Sequence, residues 1–260
     1  MTKKIIVLGV LLFGISTTLL LAQPKIIAHR GYWKTEGSAQ NSIAALMKAD
    51  SIEVFGSEVD IWISGDGVPV VNHDADVTLN DEKLIIEETP FATLRKVILA
   101  NGEPLPTVEE YLIAFEQCKH IKLIIELKPH KNKDKENTLA RKVIDMVNQK
   151  GLQNRVEYIS FSINLVQQVR VLAPQAKVYY LTGDVTPSSL AAMGAAGFDY
   201  HYNVIYKHPQ WVPEAQKLGM EVNVWTVNKV EDIQKMIDAK VDYITTDEPL
   251  LVRELVNERK

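Results

Sequence analysis

The 260-residue chain sets 29 Lys and Arg against 33 Asp and Glu, a formal net charge of -4, with no basic block or stripe along it. That balance disfavours a nucleic-acid partner. The one cysteine, Cys118, excludes an intrachain disulfide and any zinc site built from several thiolates. The most lysine-rich stretch, 128–135, interleaves its lysines with Asp, Asn and Pro and reads as a solvated loop.

The N-terminus is set aside before any fold is inferred. Lys3-Lys4 precedes an almost wholly apolar run from Ile5 to Leu21, and Ala22 stands before Gln23-Pro24 as a cleavage point. This is the pattern of a secretory signal peptide over residues 1–22. The alternative is an uncleaved anchor, since the run is near the minimum length that spans a bilayer. Cleavage predicts an exported protein, periplasmic or secreted, with no stable membrane insertion afterwards. Residues 23–260 remain, within the range of one large α/β domain.

From Lys25 onward short β-type runs alternate with segments of helical period. The predicted pairs are Lys25–Ala28 with Ser42–Ala49, Gly56–Ile63 with Thr107–Cys118, and Lys122–Leu127 with Lys135–Gln149. Then come Val156–Phe161 with Asn164–Leu172, Lys177–Leu181 with Pro187–Ala196, and Asp199–Val204 with Pro209–Leu218. Glu221–Val227 with Val230–Ala239 and Val241–Thr245 with Pro249–Val256 complete eight units. Gly151, Gly197 and Gly219 are placed to end helices, and Pro187, Pro209 and Pro249 to start them. Eight such units predict a TIM (β/α)8 barrel. An open doubly wound sheet is less suited, because no Gly-rich phosphate turn follows the first strand. One stretch breaks the short-loop pattern. Residues 64–106 hold a turn at Gly65-Asp66-Gly67, a returning strand at Val68–Asn72 and short helices near Pro90–Val97, a small insertion after the second strand that would sit over the C-terminal mouth.

The chemistry concentrates at strand ends. Glu58 and Asp60 are two apart on one strand and share a face, and Glu126 and Lys128 repeat that spacing on the next. Three converging carboxylates repel one another unless a hard divalent cation with oxygen ligands, Ca2+ or Mg2+, joins them. His29 ends the first strand and His73 the returning one, and imidazole serves as acid or base near neutral pH. Arg30 offers a planar fork and Lys128 a point charge for phosphate oxygens. The set suits metal-assisted cleavage of a phosphate ester. His120 belongs to the opposite barrel face and is read as structural, whereas His201 lies on the sixth strand within reach of the mouth.

His29-Arg30-Gly31, Glu58-x-Asp60, His73-Asp74 and Glu126-x-Lys128 together resemble the motif series of the glycerophosphodiester phosphodiesterase family. Val224–Asn228 and Asp242–Pro249 are similar to that family's last two strands. The resemblance implies hydrolysis of a small-molecule glycerophosphodiester to glycerol 3-phosphate and an alcohol. It implies His29 and His73 as the acid–base pair and Glu58, Asp60 and Glu126 as ligands of one divalent ion. It also implies Arg30 and Lys128 on the phosphate, while Trp225 and Phe161 are placed to wall the glycerol or alcohol. One position departs from the family pattern. Where Pro-Glu-Asn is usual the chain has Ala39-Gln40-Asn41, so Gln40 either alters the metal shell or only orients neighbours, and Asn41 either caps the first helix or faces the site. Two other functions fit the same residues. One is a related barrel phosphodiesterase acting on lysophospholipid or sphingolipid head groups, which would need an apolar slot and lack the insertion. The other is a catalytically silent phosphodiester-binding protein, hinted at only by Gln40.

Overall fold

Alternation along the strands decides the architecture. In the computed structural model, which describes residues 23–259, β1 (Lys25–Ala28) leads to α1 (Ile43–Ser51) and then β2 (Gly56–Ile63). After β2 the chain runs out through β3 (Pro69–Val71), the strands β4 (Asp76–Leu79) and β5 (Glu82–Ile85), a 3-10 turn and the short α2 (Phe91–Leu94). It returns through α3 (Val108–Gln117). There follow β6 (Lys122–Leu127) with α4 (Lys133–Gln149), β7 (Val156–Ser160) with α5 (Ile163–Leu172), and β8 (Val178–Tyr180) with α6 (Pro187–Ala192). Next come β9 (Gly197–His201) with α7 (Tyr202–Lys207) and α8 (Trp211–Lys217), and β10 (Glu221–Trp225) with α9 (Val230–Asp238). The last pair is β11 (Tyr243–Thr246) with α10 (Pro249–Asn257).

Strand β1 pairs in parallel with both β11 and β2, which closes a ring in the order β1-β2-β6-β7-β8-β9-β10-β11. The chain is therefore a TIM (β/α)8 barrel with an insertion after its second strand, as the order of elements predicts. One phase of each strand (Val59, Ile61, Ile125, Phe198, Val222, Ile244) packs outward against the helices in the main core. The other phase (Ile27, Ile124, Ile159, Tyr179, Tyr243) fills the barrel interior. A one-residue slip would exchange the two sets, so register is tightly specified. Glu58, Asp60 and Glu126 belong to the inward phase, and Asp60 stands opposite Glu126 across the β2–β6 ladder. The fold thus brings the carboxylates together without help from any loop.

The insertion has its own small core of Trp62, Val70, Val77, Ile86, Leu94, Val97 and Leu105. Its β4–β5 hairpin is absent from the sequence reading. Asn80 and Asp81 both adopt left-handed backbone (φ 51 and 64), the requirement of a tight two-residue hairpin turn.

Three other expectations are corrected. The sixth strand ends at His201, not Val204, because the His201 ring accepts from the Asn203 amide and turns the chain into α7. The alternating Tyr200-x-Tyr202-x-Val204 pattern imitates a longer strand. Gly197 does not end a helix. That role falls to Gly194 (φ +75), while Gly197 opens β9 where a Cβ would lie 1.8 Å from the Glu221 carbonyl oxygen. Helix α8 begins at Trp211, two residues after Pro209. The signal peptide expected over residues 1–22 lies outside the described residues. Among the described residues, no helix is long and apolar enough to cross a membrane.

Candidate active site

The turn after β1 sets the geometry. Arg30 (φ 55) and Gly31 (φ 80) are both left-handed, and a Cβ on Gly31 would meet the Ala45 Cβ at 2.5 Å, so only glycine lets α1 pack this closely. The strained Arg30 backbone aims its N–H at Glu58 Oε2 (2.8 Å). The Arg30 guanidinium reaches Asp60 Oδ2 (3.5 Å) and donates to Gln40 Oε1 (2.6 Å).

Glu58, Asp60 and Glu126 are all buried, and one oxygen from each can be chosen so that all three lie within 4.8 Å of one another. Lys128 Nζ bridges Asp60 Oδ1 and Glu126 Oε1 at 2.7 Å each. Burial, then Asp60 and Glu126, push the Glu58 carboxyl well above its ordinary range. Burial likewise lifts Glu126 to about 8, with Asp60 adding to the rise and Lys128 opposing it. Asp60 alone is held low: burial works against ionisation, but Lys128, His73 and the Asn41 amide outweigh it. Glu58 Oε1 is buried with no hydrogen-bond partner among the described residues. One lysine cannot neutralise three buried carboxylates, whereas a divalent cation would relieve the crowding and use the orphaned oxygen. The donor set fits such an ion. With oxygen donors only, it favours a hard cation over zinc or copper.

Each of the two histidines is tied to a carboxylate through Nδ1. His29 Nδ1 lies 2.8 Å from Asp247 Oδ1, and His73 Nδ1 lies 2.7 Å from Asp74 Oδ1. A carboxylate only accepts, so each Nδ1 carries the hydrogen and each Nε2 is left for chemistry. The two supports differ in rigidity. Asp247 Oδ1 also accepts from Trp33 Nε1 (3.1 Å) and Oδ2 from Asn228 Nδ2 (2.7 Å). Although burial opposes it, the contacts from His29, Trp33 and Asn228 hold the Asp247 carboxyl down at about 2. Asp74 is 72% exposed and has no such frame. Burial lowers the affinity of His73 for a proton, with Asp60 working the other way.

Together His29, Arg30, Glu58, His73, Glu126 and Lys128 line a cavity of about 130 Å3 at the C-terminal end of the barrel. Phe161 and Trp225 form its apolar wall with their rings edge to face at 5.6 Å, and Trp225 Nε1 donates to the Asp199 carbonyl (2.9 Å). Asp60 sits directly behind, joined to Lys128. His201 stays outside the cavity: it stacks on Tyr202 and meets Trp225 edge-on at 5.2 Å. His120 is exposed near Glu53, and His130 accepts from the Ile63 amide while facing Trp62.

Asn41 faces the site and does not cap the helix. Its Nδ2 donates to Asp60 Oδ2 (2.8 Å), its Oδ1 accepts from the Asp60 amide (3.2 Å), and Ser42 caps α1 instead. Gln40 accepts through Oε1 from the Arg30 guanidinium (2.6 Å), which also reaches Asp60. Sequence reasoning missed Asp247, its frame of Trp33 and Asn228, and the buried Asp199. Asp247 follows the last residue of β11, so the rule that singled out strand-end carboxylates would have reached it.

Residues 29–251 match the model of the glycerophosphoryl diester phosphodiesterase family. The chain is 29% identical over 244 residues to a glycerophosphodiester phosphodiesterase of Caldanaerobacter subterraneus subsp. tengcongensis, covering 89% of this chain and 97% of that one. It is 42% identical to a glycerophosphodiester phosphodiesterase of Parabacteroides distasonis whose crystal structure superposes with a TM-score of 0.88, covering 92% of this chain and 98% of the other. It is also similar, at 25% identity and a TM-score of 0.77, to an Oleispira antarctica phosphodiesterase solved in complex with the product sn-glycerol-3-phosphate, covering 90% of this chain and 97% of the other. The chain belongs to the glycerophosphoryl diester phosphodiesterase family.

Proposed function

We propose that the protein hydrolyses glycerophosphodiesters to glycerol 3-phosphate and an alcohol, with His29 and His73 as its acid–base pair. The observation that carries this is the pairing of two carboxylate-backed imidazoles with a buried three-carboxylate cluster and Arg30 around one cavity. Glu58, Asp60 and Glu126 hold one divalent cation, Ca2+ or Mg2+, which when bound supplies Lewis-acid polarisation of a phosphate oxygen. Arg30 and Lys128 neutralise the phosphate, and Trp225 and Phe161 exclude water from the glycerol side.

The steps use groups on this chain. One histidine Nε2 takes the proton of the substrate's own glycerol 2-hydroxyl as its oxygen bonds to phosphorus. The other Nε2 gives a proton to the departing alcohol oxygen. Water then opens the cyclic phosphate with the two roles exchanged. Incubation with a glycerophosphodiester should release glycerol 3-phosphate, identified by a coupled dehydrogenase assay. Release of the phosphorylated alcohol together with free glycerol would reject this bond selectivity.

Export is part of the same proposal, supported by Lys3-Lys4, the apolar run to Leu21 and Ala22. Sequencing the N-terminus of protein recovered outside the cytoplasm should begin at Gln23. An intact Met1 on membrane-bound protein would favour the anchor.

A further inference from the structure

Beside the cavity lies a second, more open groove of about 330 Å3, between the turn after β1 and the insertion. Among the described residues, Arg30 and His73 alone line both spaces. A phosphodiester seated on Arg30 therefore has one ester arm on each side. The smaller cavity carries the carboxylates and the apolar wall, where the attacking glycerol must lie under the function proposed above, on which this inference rests. The groove is left for the alcohol that departs.

The groove's polar groups have a definite pattern. A guanidinium has only donors, so the bond from Arg30 fixes Gln40 with its oxygen toward Arg30 and its NH2 free to donate. A glutamate at this position would offer only acceptors. Asn72 gives its NH2 to the carbonyls of Asp74 and Asp76 at 2.7 and 3.3 Å, which leaves its own oxygen as an acceptor. Thr78 adds a hydroxyl that does both. The acidic groups of the groove already have partners: Asp76 pairs with Lys83 at 2.9 Å, and Asp74 accepts from the His73 ring at 2.7 Å. Among the described residues the lining holds Val71, Val77, Val97 and Leu99 but no Phe, Tyr or Trp, so a trimethylammonium group finds aliphatic contact there but no aromatic face, and it has no hydrogen to donate.

We propose that this groove is the subsite for the departing alcohol and that Gln40, Asn72 and Thr78 select a polyol over a quaternary-ammonium alcohol. Hydroxyls both donate and accept, which is what the interleaved lining asks for. Gln40 is thereby a specificity residue.

The test compares kcat/KM for glycerophosphoglycerol and glycerophosphoinositol with that for glycerophosphocholine, in the metal-loaded enzyme and in Gln40→Glu and Thr78→Val. Both positions are exposed, so the variants should fold. The polyol-to-choline ratio should be about 10 or more in the parent enzyme, the worth of a hydrogen bond or two. It should fall by roughly the same factor in Gln40→Glu and several-fold in Thr78→Val. Using the ratio cancels any general effect of Gln40 on Arg30. A parent ratio at or below one, or a ratio that neither substitution changes, overturns the inference and leaves the hydrolase function standing. Failure of every diester to turn over removes that function and this inference with it.

Discussion

His29→Ala is expected to lower kcat by about 10^2- to 10^4-fold with KM little changed, the usual cost of losing a positioned acid or base. The more informative partner is Asp247→Asn. It keeps the shape of the side chain but lets the amide flip and donate, so the His29 tautomer is no longer enforced. Because Asp247 is gripped by His29, Trp33 and Asn228 at once, kcat should drop at least tenfold, and the amide, which must face one of these three donors with its own NH2, should also lower the melting temperature by a few degrees. Asp74→Asn should cost less, since the exposed Asp74 competes with water for His73. Asp247→Asn with the parent kcat, or with a larger loss than His29→Ala, would show that the carboxylate does not act through His29.

Glu126→Gln should separate metal binding from stability. The sign follows from burial. In the metal-free folded protein Glu126 keeps its proton up to about pH 8, whereas an unfolded glutamate releases it near pH 4. Between those values the folded state binds more protons than the unfolded chain, so metal-free stability falls as pH rises across the window. The amide removes that loss. Chelated Glu126→Gln should therefore melt no lower than the chelated parent at pH 8. Saturating Ca2+ or Mg2+ should raise the parent's melting point by several degrees, since a hundredfold excess over Kd is worth about 2.7 kcal/mol, and should barely move the variant. An equal metal-induced rise in both proteins would take Glu126 out of the proposed ligand set.

Much of this was legible in the sequence because it depends on local pattern. The period-2 runs and helical segments predict the barrel, and Glu58-x-Asp60 shares a face by strand geometry alone. What stayed hidden depends on contacts between distant segments. The Asp247–His29 pair spans 218 residues, and no local feature of Asp247 reveals its partner. Asn41 looks like a helix cap until its left-handed backbone (φ 60) turns the amide onto Asp60. Gln40 could be placed against the metal or against its neighbours, and only the fold puts it on Arg30. The β4–β5 hairpin was missed for a different reason: Asn80-Asp81 lacks the glycine that usually marks such a turn.

The most direct measurement is release of glycerol 3-phosphate from glycerophosphoglycerol by protein stripped with a chelator, then restored with Ca2+ or Mg2+. Stripping should lower the rate at least a hundredfold, one of the two ions should restore it fully, and Glu126→Gln should show no recovery, since an ion held by Glu58, Asp60 and Glu126 would offset much of the negative charge that builds on the phosphate in the transition state. A stripped enzyme that keeps its rate would contradict a metal role for the three carboxylates.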